Sequence, residues 1–110
     1  MDRDTEHYIR LAYNKSSSHD FSLNEVIDVF DYYFKVYTKV FLKIHPHLKL
    51  KQIERIIKEM PYIDGILAES NWYFDLIDQH FKTDYGRCDY NINHFFSGRI
   101  RELRFYEVFY

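Results

Sequence analysis

The chain is poor in the residues that cross-link, turn or interrupt a protein. Its one cysteine, Cys88, excludes an internal disulfide. Three glycines and two prolines in 110 residues leave little turn chemistry, which favours helices joined by short loops. No apolar run approaches the roughly eighteen residues of a membrane span, and the charged start MDRDTEHYIR is unlike a signal peptide. These absences predict a cytoplasmic protein without a membrane partner.

A basic excess is missing as well. Fifteen Lys and Arg residues face seventeen Asp and Glu residues, for a net charge of −2, so binding to nucleic acid would require a local patch of cations. Hydrophobic residues make up 46% of the chain and aromatic residues 20%, which is typical of a folded protein rather than a disordered one. We therefore predict one compact domain over residues 1–110.

One long helix dominates the hydrophobic pattern. A first helix is predicted over residues 3–14 and an exposed loop over 14–20. Ser22 and Glu25 then have the spacing of a capping box, and apolar residues recur every three or four positions as far as Ile44, which predicts a helix over 22–44. Pro46 disfavours helix at His45. The stripe comprises Val26, Ile27, Phe30, Tyr33, Phe34, Tyr37, Phe41 and Ile44.

Three more segments have helical spacing. Residues 48–60 precede a break marked by Pro61 and Gly65, and residues 70–81 begin at Ser70 or Asn71 as candidate N-cap. In residues 89–109, Gly98 divides the pattern into two short helices or one bent helix. The predicted inward residues are Leu50, Ile53, Ile56, Ile57 and Met60, then Trp72, Leu76, Ile77 and Phe81, then Ile92, Phe96, Ile100 and Leu103. We predict an all-α bundle of about five helices around the long one.

No metal, cofactor or catalytic residue is predicted. His45 and His47 flank Pro46, but zinc requires three or four ligands and no Cys/His pair completes the set. His80, Cys88 and His94 converge only if the loop between them folds back. Cys88 also lacks the surrounding signature of a cysteine hydrolase. The sequence thus favours a protein that is not an enzyme.

One enzymatic alternative stays open. Arg87 and His94 fit the loose spacing of HEPN ribonucleases, which are also helical bundles. In that reading the arginine stabilises phosphate charge and the histidine acts as acid or base. The polar residue that usually follows the arginine is replaced by Cys88.

Arginines interleave with aromatic residues near the end of the chain. Arg99, Arg101 and Arg104, together with Arg87, are the predicted binding residues, because arginine and aromatic rings suit phosphate contact and base stacking. The same residues suit a protein interface. Alternatively, the aromatic rings form the core face of a helix and the arginines extend over it. An exposed aromatic face would also suit a homodimer.

Two stretches carry a family resemblance. The chain resembles the PrgN-like proteins, which are small plasmid-borne proteins of Gram-positive bacteria associated with replication control. The resemblance lies in HPHLKLKQIERIIKEMPY and in FKTDYGRCDYNINHFFSGRIRELRFYEVFY. The shared elements are His45–Pro46, residues 52–57, residues 60–62 and the ending over 89–110. Residues 1–40 match only in general helical character.

The resemblance implies a regulatory gene product of a plasmid or another mobile element. It brings no catalytic residues, and it implies action by binding a protein partner, a nucleoprotein complex or nucleic acid. A second reading is an anti-CRISPR-type inhibitor that disables a Cas nuclease complex. Such an inhibitor would occupy basic nucleic-acid channels with carboxylates such as Asp28, Asp31, Asp75 and Asp78.

Overall fold

The chain folds mainly into helices, which its computed structural model describes over residues 1–17 and 19–110. Within those ranges there are six helices and one two-stranded sheet, so the all-α prediction is confirmed. The predicted loop over 14–20 includes Ser18, which lies outside the described residues. The elements are α1 Arg3–Lys15, α2 Leu23–Phe41, α3 Leu50–Glu59, β1 Tyr62–Ile63, β2 Ile66–Leu67, α4 Trp72–Lys82, α5 Ile92–Phe95 and α6 Ile100–Phe109.

Helix α2 begins as predicted and ends early. The Ser22 hydroxyl accepts from the Glu25 N–H at 3.1 Å and the Glu25 carboxylate accepts from the Ser22 N–H at 2.8 Å, which confirms the capping box. The helix stops at Phe41 because Leu42 adopts left-handed geometry, with φ 56° and ψ 35°. The expectation that Ile44 continues the core stripe is therefore wrong, since its side chain is 83% exposed.

A short hairpin occupies the break between α3 and α4. Strands β1 and β2 pair antiparallel, with Tyr62 opposite Leu67 and Ile63 opposite Ile66. Asp64 and Gly65 have φ of 53° and 73°, and two positive φ values at the centre of a two-residue turn define the type I′ hairpin. Only the break was predicted from the sequence, because two-residue strands are too short to show alternation.

Helix α4 starts without a side-chain cap. Asn71 makes no capping hydrogen bond, and the Ser70 hydroxyl instead donates to Glu25 at 2.6 Å. Asn71 is thus the N-cap residue, one of the two predicted positions, but without a side-chain capping bond, whereas Ser70 connects the start of α4 to the start of α2. Tyr73 and His80 are fully buried on α4 along with the predicted Leu76 and Ile77.

The final segment forms two helices. Gly98, with φ 52°, separates α5 from α6 and resets the helical phase. On α6 the buried residues are Arg104 and Phe105, whereas Leu103 is 42% exposed, which corrects its predicted place in the core. The rings of Phe105 and Phe109 lie 5.2 and 5.7 Å from that of Trp72 on α4.

The helices surround one hydrophobic cluster. Helix α1 packs on α3, α2 packs on α4, and α4 packs on α6. None of the described helices is both long and apolar enough to cross a membrane. Core residues come from every helix and from the hairpin, among them Ile9, Phe30, Ile56, Ile63, Leu76, Phe95 and Phe105.

Candidate functional site

The four predicted binding arginines occupy different environments. Arg99 and Arg87 lie on the surface. Arg99 donates two hydrogen bonds of 2.9 Å to the carboxylate of Glu102, one turn along α6. Arg87 makes no hydrogen bond or ion pair with any described residue. The arginines of this region therefore do not form one continuous cationic patch.

Arg101 connects α6 to the junction of α3 and the hairpin. Its Nη1 donates to the carbonyl oxygens of Glu59 and Tyr62, at 3.2 and 2.9 Å, and to the Tyr73 hydroxyl at 2.8 Å. The guanidinium lies 4.9 Å from the centre of the Phe96 ring. These contacts engage the Nη1 group of Arg101 within the fold, and the residue is half-buried.

Arg104 lies inside the protein. Its side chain donates to the Tyr85 hydroxyl at 2.6 Å and to the carboxylate of Glu107, and the residue is only 6% exposed. The prediction that Arg104 contributes to a binding surface is wrong for this reason. The helical phase reset at Gly98 turns Arg104 toward α4 and the 83–91 loop.

A buried polar cluster surrounds His80. The Tyr85 hydroxyl accepts from Arg104 and lies 2.8 Å from His80 Nδ1, while His80 Nε2 has no hydrogen-bond partner among the described residues. Burial, with the nearby charges of His94 and Arg104, lowers the pKa of His80 to about 3. His80 is therefore neutral at physiological pH.

The loop over 83–91 does fold back, bringing Cys88 to His94. The Cys88 sulfur lies 2.9 Å from His94 Nδ1 and accepts from the Tyr90 N–H at 3.2 Å. The rings of His80 and His94 are 5.6 Å apart. Even so, no group of three His, Cys, Asp or Glu side chains in the described residues is placed to hold a metal ion. The His94 Nδ1 atom faces the thiol, and no contact joins His94 to Arg87.

His45 is a structural residue of the loop between α2 and α3. Its Nε2 accepts from the Ile92 N–H at 2.9 Å and its Nδ1 donates to the Pro46 carbonyl at 2.8 Å. Burial lowers the pKa of His45, in keeping with a neutral ring that both donates and accepts. His47 is exposed, so the pair does not converge.

Exposed apolar residues occur on both faces of the hairpin and on α6. We call this set the hairpin–α6 surface; it comprises Tyr62, Ile66, Leu67, Leu103, Tyr106 and Tyr110. The two elements adjoin there, because the Tyr106 hydroxyl donates to the Asp64 carboxylate at 2.9 Å. Leu103, Tyr106 and Tyr110 follow one face of α6 at steps of three and four residues.

Carboxylates border the hairpin–α6 surface. Asp20 accepts from the Tyr62 hydroxyl at 2.6 Å, Asp64 accepts from Tyr106, and Glu102 lies beside Leu103 in the sequence. Arg99 is paired with Glu102. Three carboxylates therefore lie beside this surface, and Lys15 and Lys58 share a pocket with Tyr62, so its border is of mixed charge and not the arginine surface expected from the sequence.

The chain was compared with protein-family models, curated proteins and solved structures. None of them matches. The resemblance to PrgN-like proteins accordingly stays a prediction.

Sequence reasoning missed the hairpin–α6 surface for a specific reason. The Asp64–Gly65 pair is a strong hairpin signal that could have indicated the turn before Ile66 and Leu67, but only a break marked by Pro61 and Gly65 was predicted there. The pairing of this hairpin with α6 had no local signal, because Tyr106 and Asp64 are 42 residues apart in the chain.

The His80 cluster predicts a loss of stability in acid. Unfolded histidine takes up a proton near pH 6.5, whereas folded His80 stays neutral down to about pH 3, so the unfolded state binds more protons across that window. Between pH 6.5 and 4.5 this difference lowers the free energy of unfolding by about 2 kcal/mol. The lowered pKa of His45 acts in the same direction.

Urea unfolding across this pH range checks the prediction. His80→Gln is expected to flatten the slope of stability against pH, even if it lowers stability at pH 7. His47→Gln, at an exposed position, is the matched control and keeps the wild-type slope. An unchanged slope in His80→Gln would contradict a neutral buried His80.

Proposed function

We propose that the chain is a non-enzymatic regulatory protein of a plasmid or another mobile element, similar to PrgN-like replication-control proteins, and that it binds a protein partner on the hairpin–α6 surface. The observation that carries the proposal is the gathering of exposed tyrosines and aliphatic residues on two adjoining elements. Apolar patches with a polar border are typical of protein interaction sites, and tyrosine is enriched among residues that dominate binding energy.

A protein partner is favoured over nucleic acid by the arginines. Arg101 is half-buried and donates through Nη1 to internal acceptors, and Arg104 is buried. Arg99 and Arg87 are therefore the exposed arginines of this region. Phosphate binding depends on cations that neutralise several charges together. Asp20, Asp64 and Glu102 beside the surface would repel phosphate.

Charge complementarity indicates which kind of protein surface fits the hairpin–α6 surface. An apolar patch bordered by Asp20, Asp64 and Glu102 fits a protein with an apolar depression surrounded by Lys or Arg side chains. Proteins that bind DNA present such basic surfaces, which suits a partner from plasmid replication. A second copy of this chain fits less well, because the same three carboxylates would face each other.

The test compares variants of two exposed residues of the hairpin–α6 surface with a variant of a residue on α1. Leu103→Asp and Leu67→Asp are expected to weaken binding to the purified partner at least tenfold, about 1.4 kcal/mol, because each places a carboxylate in the apolar contact. Leu11→Asp, on α1 and 38% exposed, is the matched control. Partners are first captured from a plasmid-bearing Gram-positive lysate treated with nuclease, and affinities are then measured by calorimetry.

The outcomes separate the alternatives. Equal weakening by Leu11→Asp, or capture that disappears with nuclease, would contradict the proposal. Concentration-dependent dimers in sedimentation that Leu103→Asp disrupts would assign the surface to a homodimer. Loss of Cas nuclease inhibition in Asp28→Asn or Asp75→Asn, with Leu103→Asp unaffected, would favour the anti-CRISPR-type inhibitor.

A further inference from the structure

A pocket of about 710 Å³ lies between the start of α1, the middle of α2 and residues 44–48. Its volume is in the range of small-molecule sites, roughly 300–1,000 Å³. None of its lining residues belongs to the hairpin–α6 surface, so it is a separate feature. Its position depends on the early end of α2, since the left-handed Leu42 redirects the chain across the helix.

The walls of the pocket are largely apolar. Phe34, Ile44, Pro46 and Leu48 line it. Leu48 is buried in the core, whereas Ile44 is 83% exposed at the pocket and is not covered by any core packing. An apolar ligand would cover Ile44 and remove its side chain from water.

The charged groups that line the pocket differ in whether they have a hydrogen-bond or ion-pair partner. The Asp2 carboxylate accepts from the Thr5 N–H at 2.7 Å, and Asp31 pairs with Lys35 at 3.0 Å. Lys39, one turn beyond Lys35 on α2, lines the pocket and has no ion pair among residues 1–17 and 19–110. Asp31 also pairs with the Met1 ammonium at 3.7 Å. Three cationic groups, of Met1, Lys35 and Lys39, thus face the two carboxylates of Asp2 and Asp31, so the net charge of the pocket is positive.

We propose that this pocket binds a single-chain amphiphile with an anionic head, of the class of medium-chain carboxylates. The alkyl chain lies against Phe34, Ile44 and Leu48, and the carboxylate pairs with Lys39. The Thr38 hydroxyl, which also lines the pocket, is a second donor within one residue of that lysine. This site is independent of the protein partner proposed above.

The experiment titrates decanoate, decanol and decyltrimethylammonium into the whole chain, with calorimetry and amide chemical shifts as readouts. Decanoate is expected to bind saturably, with shifts centred on Thr5, Phe34 and Ile44, and more tightly than the other two. Lengthening the chain from octanoate to decanoate should tighten binding by roughly three- to fourfold per methylene.

Two lysines of similar exposure give the matched pair of variants. Lys39→Gln is expected to weaken decanoate binding about fivefold to tenfold and to leave decanol binding unchanged. Lys43→Gln, at an exposed residue that does not line the pocket, should alter neither. Ile44→Asp should weaken both ligands, and because Ile44 is exposed, this variant retains the wild-type circular dichroism spectrum.

Several results would overturn the proposal. The first is that decanol or decyltrimethylammonium binds as tightly as decanoate. The second is that Lys39→Gln and Lys43→Gln change the affinity for decanoate equally, and the third is that the amide chemical-shift changes lie away from the pocket. Binding that occurs only with phosphatidylglycerol vesicles, and not with free decanoate, would assign the face to a membrane surface instead.

Discussion

Deletion of residues 103–110 is expected to unfold the protein. The deletion removes the buried Arg104 and Phe105 and both rings that pack on Trp72. Loss of one buried phenylalanine alone costs about 3–5 kcal/mol, and a domain of this size has about 5–15 kcal/mol in total. Loss of the cooperative thermal transition, followed by circular dichroism, is the measurement.

Three milder changes control for the deletion. Removal of Tyr110 alone, a residue that is 88% exposed, should leave the transition nearly in place. Phe105→Ala should cost about 3–5 kcal/mol, and Leu103→Ala on the same helix much less. If the chain without residues 103–110 unfolds as cooperatively as the full chain, α6 is a removable appendage and not part of the core.

Arg101→Met is expected to lower the free energy of unfolding by about 2–3 kcal/mol. The substitution removes the donor shared by two carbonyl oxygens and the hydroxyl of fully buried Tyr73. A methionine keeps much of the packing on Phe96 while removing the charge, so the loss reports the hydrogen bonds. Urea unfolding at pH 7 measures it.

Arg99→Met is the matched control on the same helix. Its ion pair with Glu102 is exposed, and such surface pairs contribute little, so the unfolding midpoint should barely move. Equal destabilisation by the two variants would show that the Arg101 contacts do not hold α6 in place. If Arg101→Met is as stable as the wild type, the internal contacts of Arg101 do not stabilise the fold, and the prediction that it is a surface arginine stands.

Local signals were enough to predict most of the helices. The capping box at Ser22 and the three- and four-residue spacing on α2 and α3 depend on neighbours in the chain, so the sequence shows them directly. The end of α2 was missed because Leu42 occupies a left-handed position usually taken by glycine. The six helices instead of about five follow from the break at Gly98.

The surroundings of the polar side chains were not predictable in the same way. Arg101 bonds to residues 39 and 42 positions away, and His45 to a residue 47 positions away. No spacing rule relates such residues, so composition alone suggested a continuous arginine surface. The packing of α6 on α4 decides which arginine is inside, and that packing depends on the phase set at Gly98.

Because Trp72 contacts α6, its intrinsic fluorescence can report the position of that helix. Trp72 is the only tryptophan in the sequence, and its closest α6 rings are Phe105 and Phe109. Indole emission therefore reports the docking of the last helix, whereas far-ultraviolet circular dichroism reports helix formation along the whole chain. In a stopped-flow refolding experiment, a delay between the two signals would time the closure of the core.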